Sequence, residues 1–168
     1  MLKPWQTEAM RLLLSAALMV LAACTPSPGV SYTPDDYQLV LDAVNQARAQ
    51  ARTCNATPYA AAPALSWNGL LGEVARQRAE YLQQSGVLSH YEGSSTTPAV
   101  ATRSLQNGYH YVEIRENLAQ GYEQATEAVA AWLASPQGHC ETLMAPHLRE
   151  MGMVRRGDYW VLVVAQPR

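Results

Sequence analysis

The sequence contains no phenylalanine, so its four tryptophans and nine tyrosines supply all of its aromatic surface. Trp67, Trp132 and Trp160 accordingly read as core residues rather than as a platform for a ligand. Twelve basic residues stand against 14 acidic ones, with no basic run among them. That balance argues against nucleic acid or an anionic membrane surface as a partner. The apolar stretch from Leu12 to Ala23 is about half of the roughly 20 residues that a spanning helix needs. There is no H-E-x-x-H, no Gly-x-Ser-x-Gly and no phosphate-binding loop, which removes three common routes to catalysis. No internal repeat or low-complexity block is found, and residues 31–168 suit one domain able to bury its own core.

The N-terminal segment carries the clearest signal. Arg11, the apolar run from Leu12 and the small residues before Cys24 are the parts of a secretory signal. Leu21-Ala22-Ala23-Cys24 resembles a bacterial lipobox, in which the cysteine is acylated and becomes the new N-terminus. The alternative is an ordinary secretion signal with a chance cysteine. Residues 1–9 fit a signal poorly, which favours Met10 as the start. The expected organisation is a signal peptide over 1–23, a lipidated tether over 24–30 and a folded domain over 31–168. Lipid on Cys24 would make the membrane a partner and the bacterial cell envelope the location. Thr25, which is not aspartate, favours the outer membrane in a two-membrane host. Of three cysteines, Cys54 and Cys140 are then left as an even pair in an oxidising compartment, where a disulfide is expected. Two buried free thiols are the alternative.

Thr33-Pro34-Asp35-Asp36 marks a helix start, and Tyr37, Val40, Leu41, Val44 and Ala47 carry the helical period to about Arg52. The stretch 53–66 reads as a loop. A second helix should start near Asn68, with Leu70, Leu71, Val74, Ala75, Arg78, Ala79 and Leu82 on one side, and end before Gly86. Thr97-Pro98 opens a short third helix through Leu105, and a fourth should span about Gln124 to Ala134. Residues 116–121 fit either a strand or a turn. The C-terminus reads as a hairpin turning at Arg156-Gly157-Asp158, its second strand apolar enough to be central and covered on both faces. The fold class is α+β: about four helices around a small antiparallel sheet.

Three segments taken in order are more specific. Leu88-Ser89-His90, Glu116-Asn117-Leu118-Ala119 and the run from Trp132 to Cys140, followed by Leu143-Met144-Ala145-Pro146 and Glu150-Met151-Gly152, resemble the bacterial branch of the CAP superfamily. That superfamily groups SCP-like and cysteine-rich secretory proteins. Asn45-x-x-Arg48 and Pro63-Ala64-Leu65-x-Trp67-Asn68 continue the likeness toward the N-terminus. The resemblance implies an α-β-α sandwich with a surface cavity, and places His90, Glu116 and His139 in that cavity. Two imidazoles and a carboxylate are a donor set for a divalent metal such as zinc. Without metal the trio can share protons. It also matches Cys54 and Cys140 to positions bridged in bacterial members. Two departures bear on the cavity. Arg115 replaces a glycine and is expected to pair with Glu116 or crowd the site, and Ser135 stands where eukaryotic members carry a second acid. His110 and His147 match no cavity position and read as surface residues.

The preferred functional reading is a lipid-anchored, non-enzymatic envelope module binding a small ligand, a metal or an envelope partner. A hydrolase acting through His90, Glu116 and His139 is the alternative from a different class. A structural domain with a vestigial cavity is the third.

Overall fold

The computed structural model describes residues 34–168. The signal segment, Cys24 and the tether lie outside the described residues, as does Thr33. Among the described residues no helix is long and apolar enough to cross a membrane.

Helix α1 (Pro34–Arg48) is followed by a two-stranded hairpin, β1 (Arg52–Cys54) and β2 (Thr57–Tyr59). The two turn residues, Asn55 and Ala56, both have positive φ, the backbone that a two-residue hairpin turn requires. This hairpin takes up the first part of the loop expected over 53–66, and residues 60–65 keep no regular structure. The short strand β3 (Ser66–Trp67) leads into α2 (Gly69–Ser85). Its boundaries have local causes. Asn68 Oδ1 accepts the N–H groups of Leu70 and Leu71, and Gly86, at φ 69°, donates its N–H to Leu82 O. Helix α3 (Ala99–Gln106) precedes β4 (Tyr111–Gln120), then come α4 (Ala125–Ala134) and α5 (His139–Met144). The chain closes with β5 (Glu150–Arg156) and β6 (Tyr159–Pro167). Among the described residues the helices number five, one more than expected, because α5 was not anticipated. The ambiguous segment 116–121 is the end of a ten-residue strand.

The main sheet has the order β3-β5-β6-β4. The β5–β6 and β6–β4 pairs are antiparallel, and β3 joins β5 in parallel, so the sheet is mixed. Strand β6 is interior and β4 forms one edge. Successive side chains of β6 enter opposite cores, as a period of two dictates. Trp160, Leu162 and Val164 join Val44, Trp132, Leu143 and Leu148 beneath α1, α4 and α5. Tyr159, Val161, Val163 and Ala165 join Leu71, Val74, Ala79 and Leu82 of α2. This is the expected α-β-α sandwich. Each fully buried leucine or valine contributes roughly 1.5–3 kcal/mol relative to exposure. Leu70, read as part of the buried stripe, is 45 % exposed.

Two polar features hold the α1 layer in place. Asn45 Oδ1 accepts Leu65 N–H at 2.8 Å and its Nδ2 donates to Leu65 O at 3.0 Å. Arg48, wholly buried, donates to the carbonyls of Pro63, Leu143, Ala145 and Leu148. Burial, with the charge of Arg149 adding to it, lowers its pKa to about 10. Beside this cluster Cys54 and Cys140 form the expected disulfide, with Cα atoms 5.6 Å apart.

Candidate functional site

Strand β4 carries Glu116 toward the α2 layer and Asn117 toward the opposite one, because neighbouring residues of a strand face opposite sides. The two predicted histidines come from these two layers. His90 lies on the loop after α2, and His139 is the first residue of α5.

On the α2 side, Arg78 takes the central place. Its Nε donates to Glu116 Oε1 at 2.8 Å, one terminal nitrogen to Glu92 Oε1 at 2.6 Å and the other to Ser89 O at 2.6 Å. The Arg78 side chain is fully excluded from solvent and that of Glu116 is 2 % exposed. Burial opposes the arginine's charge, yet the bonds and charges of Glu116 and Glu92 outweigh it and raise the pKa above the ordinary value. Glu116 Oε2 then receives His90 Nδ1 at 2.8 Å. Glu92 is itself shared, since Arg103 also donates to both of its oxygens at 2.8 Å. Burial works to raise the Glu92 pKa, but the two arginines prevail and lower it.

On the other side, His139 Nδ1 lies 3.0 Å from Ser135 Oγ, and the His139 carbonyl accepts Asn117 Nδ2 at 3.0 Å. His139 is partly buried and its pKa is lowered, first by desolvation and then by the charge of His90. Among the described residues Nε2 of neither ring has a hydrogen-bond partner. Beside His139 opens a cleft of about 230 Å³, walled by Leu88, Leu118, Tyr122 and Trp132, with Ser135 at its polar end.

The structure thus bonds His90 to Glu116, while His139 bonds to Ser135 and lines the cleft. Arg115 does not pair with Glu116. Its Nε binds Glu113, two residues away and on the same side of the strand, whereas Glu116 faces the other way. His147 is held by Glu113 at 2.9 Å and His110 is exposed, so both lie outside the site. Sequence reasoning missed Arg78. An arginine set within the apolar stripe of α2 was the available signal, because a buried cation demands an acid nearby.

As arranged, the trio is not a three-ligand set for zinc, since both Glu116 oxygens are already engaged by Arg78 and His90. Among the described residues no three histidine, cysteine, aspartate or glutamate side chains are grouped to hold a metal. Glu116 instead orients His90, as a carboxylate behind an imidazole does.

The sequence model of the cysteine-rich secretory protein family, CAP, matches residues 41–163. The chain belongs to that family. Among solved structures it is similar to an extracellular protein containing an SCP domain from Bacillus anthracis, with TM-score 0.64 and 20 % identity over 82 % of this chain and 45 % of that one. It is also similar to a cysteine-rich secretory protein from Staphylococcus aureus, with TM-score 0.61 and 18 % identity over 82 % of this chain and 41 % of the other. An outer surface protein from Borrelia burgdorferi matches with TM-score 0.62 and 21 % identity, over 82 % of this chain and 97 % of that chain. The chain spans less than half the length of the first two. No curated protein matches it.

Proposed function

We propose that the chain is an exported, lipid-anchored CAP domain of the bacterial cell envelope that binds a small ligand at the His90–His139 opening without transforming it. One observation carries this reading. The acids around the opening are already committed, Glu116 to Arg78 and His90, and Glu92 to Arg78 and Arg103, so neither stands free as a general base. Two imidazoles with unpaired Nε2 atoms, and a cleft lined by one of them, His139, are left to meet a ligand. The signal-like N-terminus and the extracellular and outer-surface descriptions of the similar structures support export. Cys24 supplies the anchor in this reading.

Two measurements test it. Mass spectrometry of the mature N-terminus should find acylated Cys24, and Cys24→Ser should release the domain from the membrane fraction. An unmodified N-terminus elsewhere would refute the anchor. For the site, the protein should retain a ligand from envelope extract that the His90→Ala/His139→Ala variant does not. Equal retention by both would remove the site from the reading.

Hydrolysis has one observation in its favour, the 3.0 Å contact of Ser135 Oγ with His139. The same oxygen also accepts Gln137 N–H at 3.2 Å, which ties it to the local turn and lowers its nucleophilicity. A fluorophosphonate probe that labels Ser135 would establish this second reading in place of the first.

A further inference from the structure

Strand β4 forms one edge of the main sheet, and its bonds show which of its backbone groups face outward. Leu118 O accepts Trp132 Nε1–H at 2.8 Å, so residue 118 points its N–H and C=O away from β6. In an antiparallel pair that direction alternates along the strand, which puts Ile114 and Glu116 in the same outward set. The partner strand agrees. Ala165, paired with Ile114, gives its carbonyl to Arg149 N–H on the β5 side, away from β4. Among the described residues the outward N–H and C=O groups of Ile114 and Glu116 have no partner. From Glu116 to Ala119 the strand is buried, so its first half is the part open to a neighbour.

We infer that this free edge pairs antiparallel with the same edge of a second copy of the chain, about a two-fold axis between the two Ile114 residues. The occupant follows from charge. Bulges and charged side chains ordinarily keep an edge strand from pairing, and β4 has both, its register shifting between Tyr111 and Glu113. Here, however, the charges are symmetric about Ile114, an acid before it and a base after it. With Ile114 of one copy facing Ile114 of the other, Glu113 of each stands directly opposite Arg115 of its neighbour. Both side chains lie on one face of the sheet, 38 % and 34 % exposed. A strand that is uncharged or of a single sign would leave one of them without an opposite. Ile114 exchanges N–H and C=O with its counterpart, and Glu116 lies opposite Val112, which is 62 % exposed. Residues 112–116 of each copy make a small interface, so the association is weak and reversible. Neither His90 nor His139 takes part in it.

Photo-cross-linking of the full chain in detergent micelles, with benzoylphenylalanine in place of Val112, reads the contact. The expected product has twice the mass of the chain and joins position 112 to residues 112–116 of a second copy. Glu113→Arg and Arg115→Glu should each lower its yield at least about fivefold, because the two-fold axis turns both facing pairs repulsive at once. Mixed together, these two variants should regain the original yield, since one edge is then wholly basic and the other wholly acidic. Recovery on mixing also shows that neither variant has lost its fold. Absence of the dimer adduct from the chain with its original charges would overturn the inference. So would equal yields from the charge variants, a mixture no better than either variant alone, or adducts that map outside residues 112–116.

Discussion

Arg78 Nε lies 2.8 Å from Glu116 Oε1, in a layer where the arginine side chain has no solvent contact. The same guanidinium holds the carbonyl of Ser89, the residue before His90, while Glu116 holds the ring of His90 itself. One side chain thus positions a site residue from its backbone and from its imidazole.

Removing that cation should leave Glu116 buried without a counter-ion. Arg78→Met is expected to cost about 3–5 kcal/mol in urea denaturation, the range for one partner taken from a buried pair. Arg78→Met combined with Glu116→Leu should recover part of this loss, because no charge is then stranded. A single-variant cost below about 1 kcal/mol would contradict the burial described.

Acid should weaken the fold through His139. Its folded pKa lies below the unfolded one, so protons bind more readily to the unfolded chain. Its contribution is complete above the ordinary value near 6.5 and is lost as pH falls from there to the depressed folded value. Stability measured between about pH 7 and 5 should decline, less steeply in His139→Gln. His90→Gln should move the NMR-titrated pKa of His139 upward, toward the ordinary value.

The disulfide between Cys54 and Cys140 joins residues 86 apart in sequence. Chain-entropy arguments for a loop of that size predict a cost of about 4–5 kcal/mol for Cys54→Ser/Cys140→Ser. Reduction of the unmodified protein should lower its melting temperature in the same direction. An unchanged melting temperature after complete reduction would argue against the bridge as a stabiliser.

Gly152 of β5 touches the backbone of α2. A Cβ there would lie 2.2 Å from Gly72 N and 2.3 Å from the carbonyl carbon of Leu71, neither of which can rotate away. Gly152→Ala should destabilise by about 3 kcal/mol, at the upper end of ordinary overpacking. Gly69→Ala, on the same helix with open space around it, should be neutral or stabilising by up to about 1 kcal/mol. Similar melting shifts for the two variants would show that α2 does not pack against β5 in this way.

The long elements were legible in the sequence because their periodicities were. Helices α1, α2 and α4 and the C-terminal hairpin follow their apolar spacing, and Asn68 and Gly86 mark where α2 starts and stops. Strand β4 was half hidden. Glu113 and Arg115 pair across one face of it and give its first half the polarity of a loop. The β1–β2 hairpin turns on Asn55-Ala56, which lacks the glycine that usually signals such a turn. Helix α5, six residues opening on His139, is too short to show a period. His90, Glu116 and His139 were singled out by the resemblance, and the structure bonds the first two to each other. The arginine behind them was not, because a side chain in an apolar stripe reveals its partner only once helix and sheet are stacked.

The position of β6 bears on the order in which the domain can assemble. It follows every other described strand in the chain, yet it lies between β4 and β5 and supplies side chains to both cores. Until it is available, β4 and β5 have no common neighbour and neither apolar layer is complete. The two apolar layers are therefore coupled through one strand, and a loss of β6 from the sheet would open both faces of the sandwich at once.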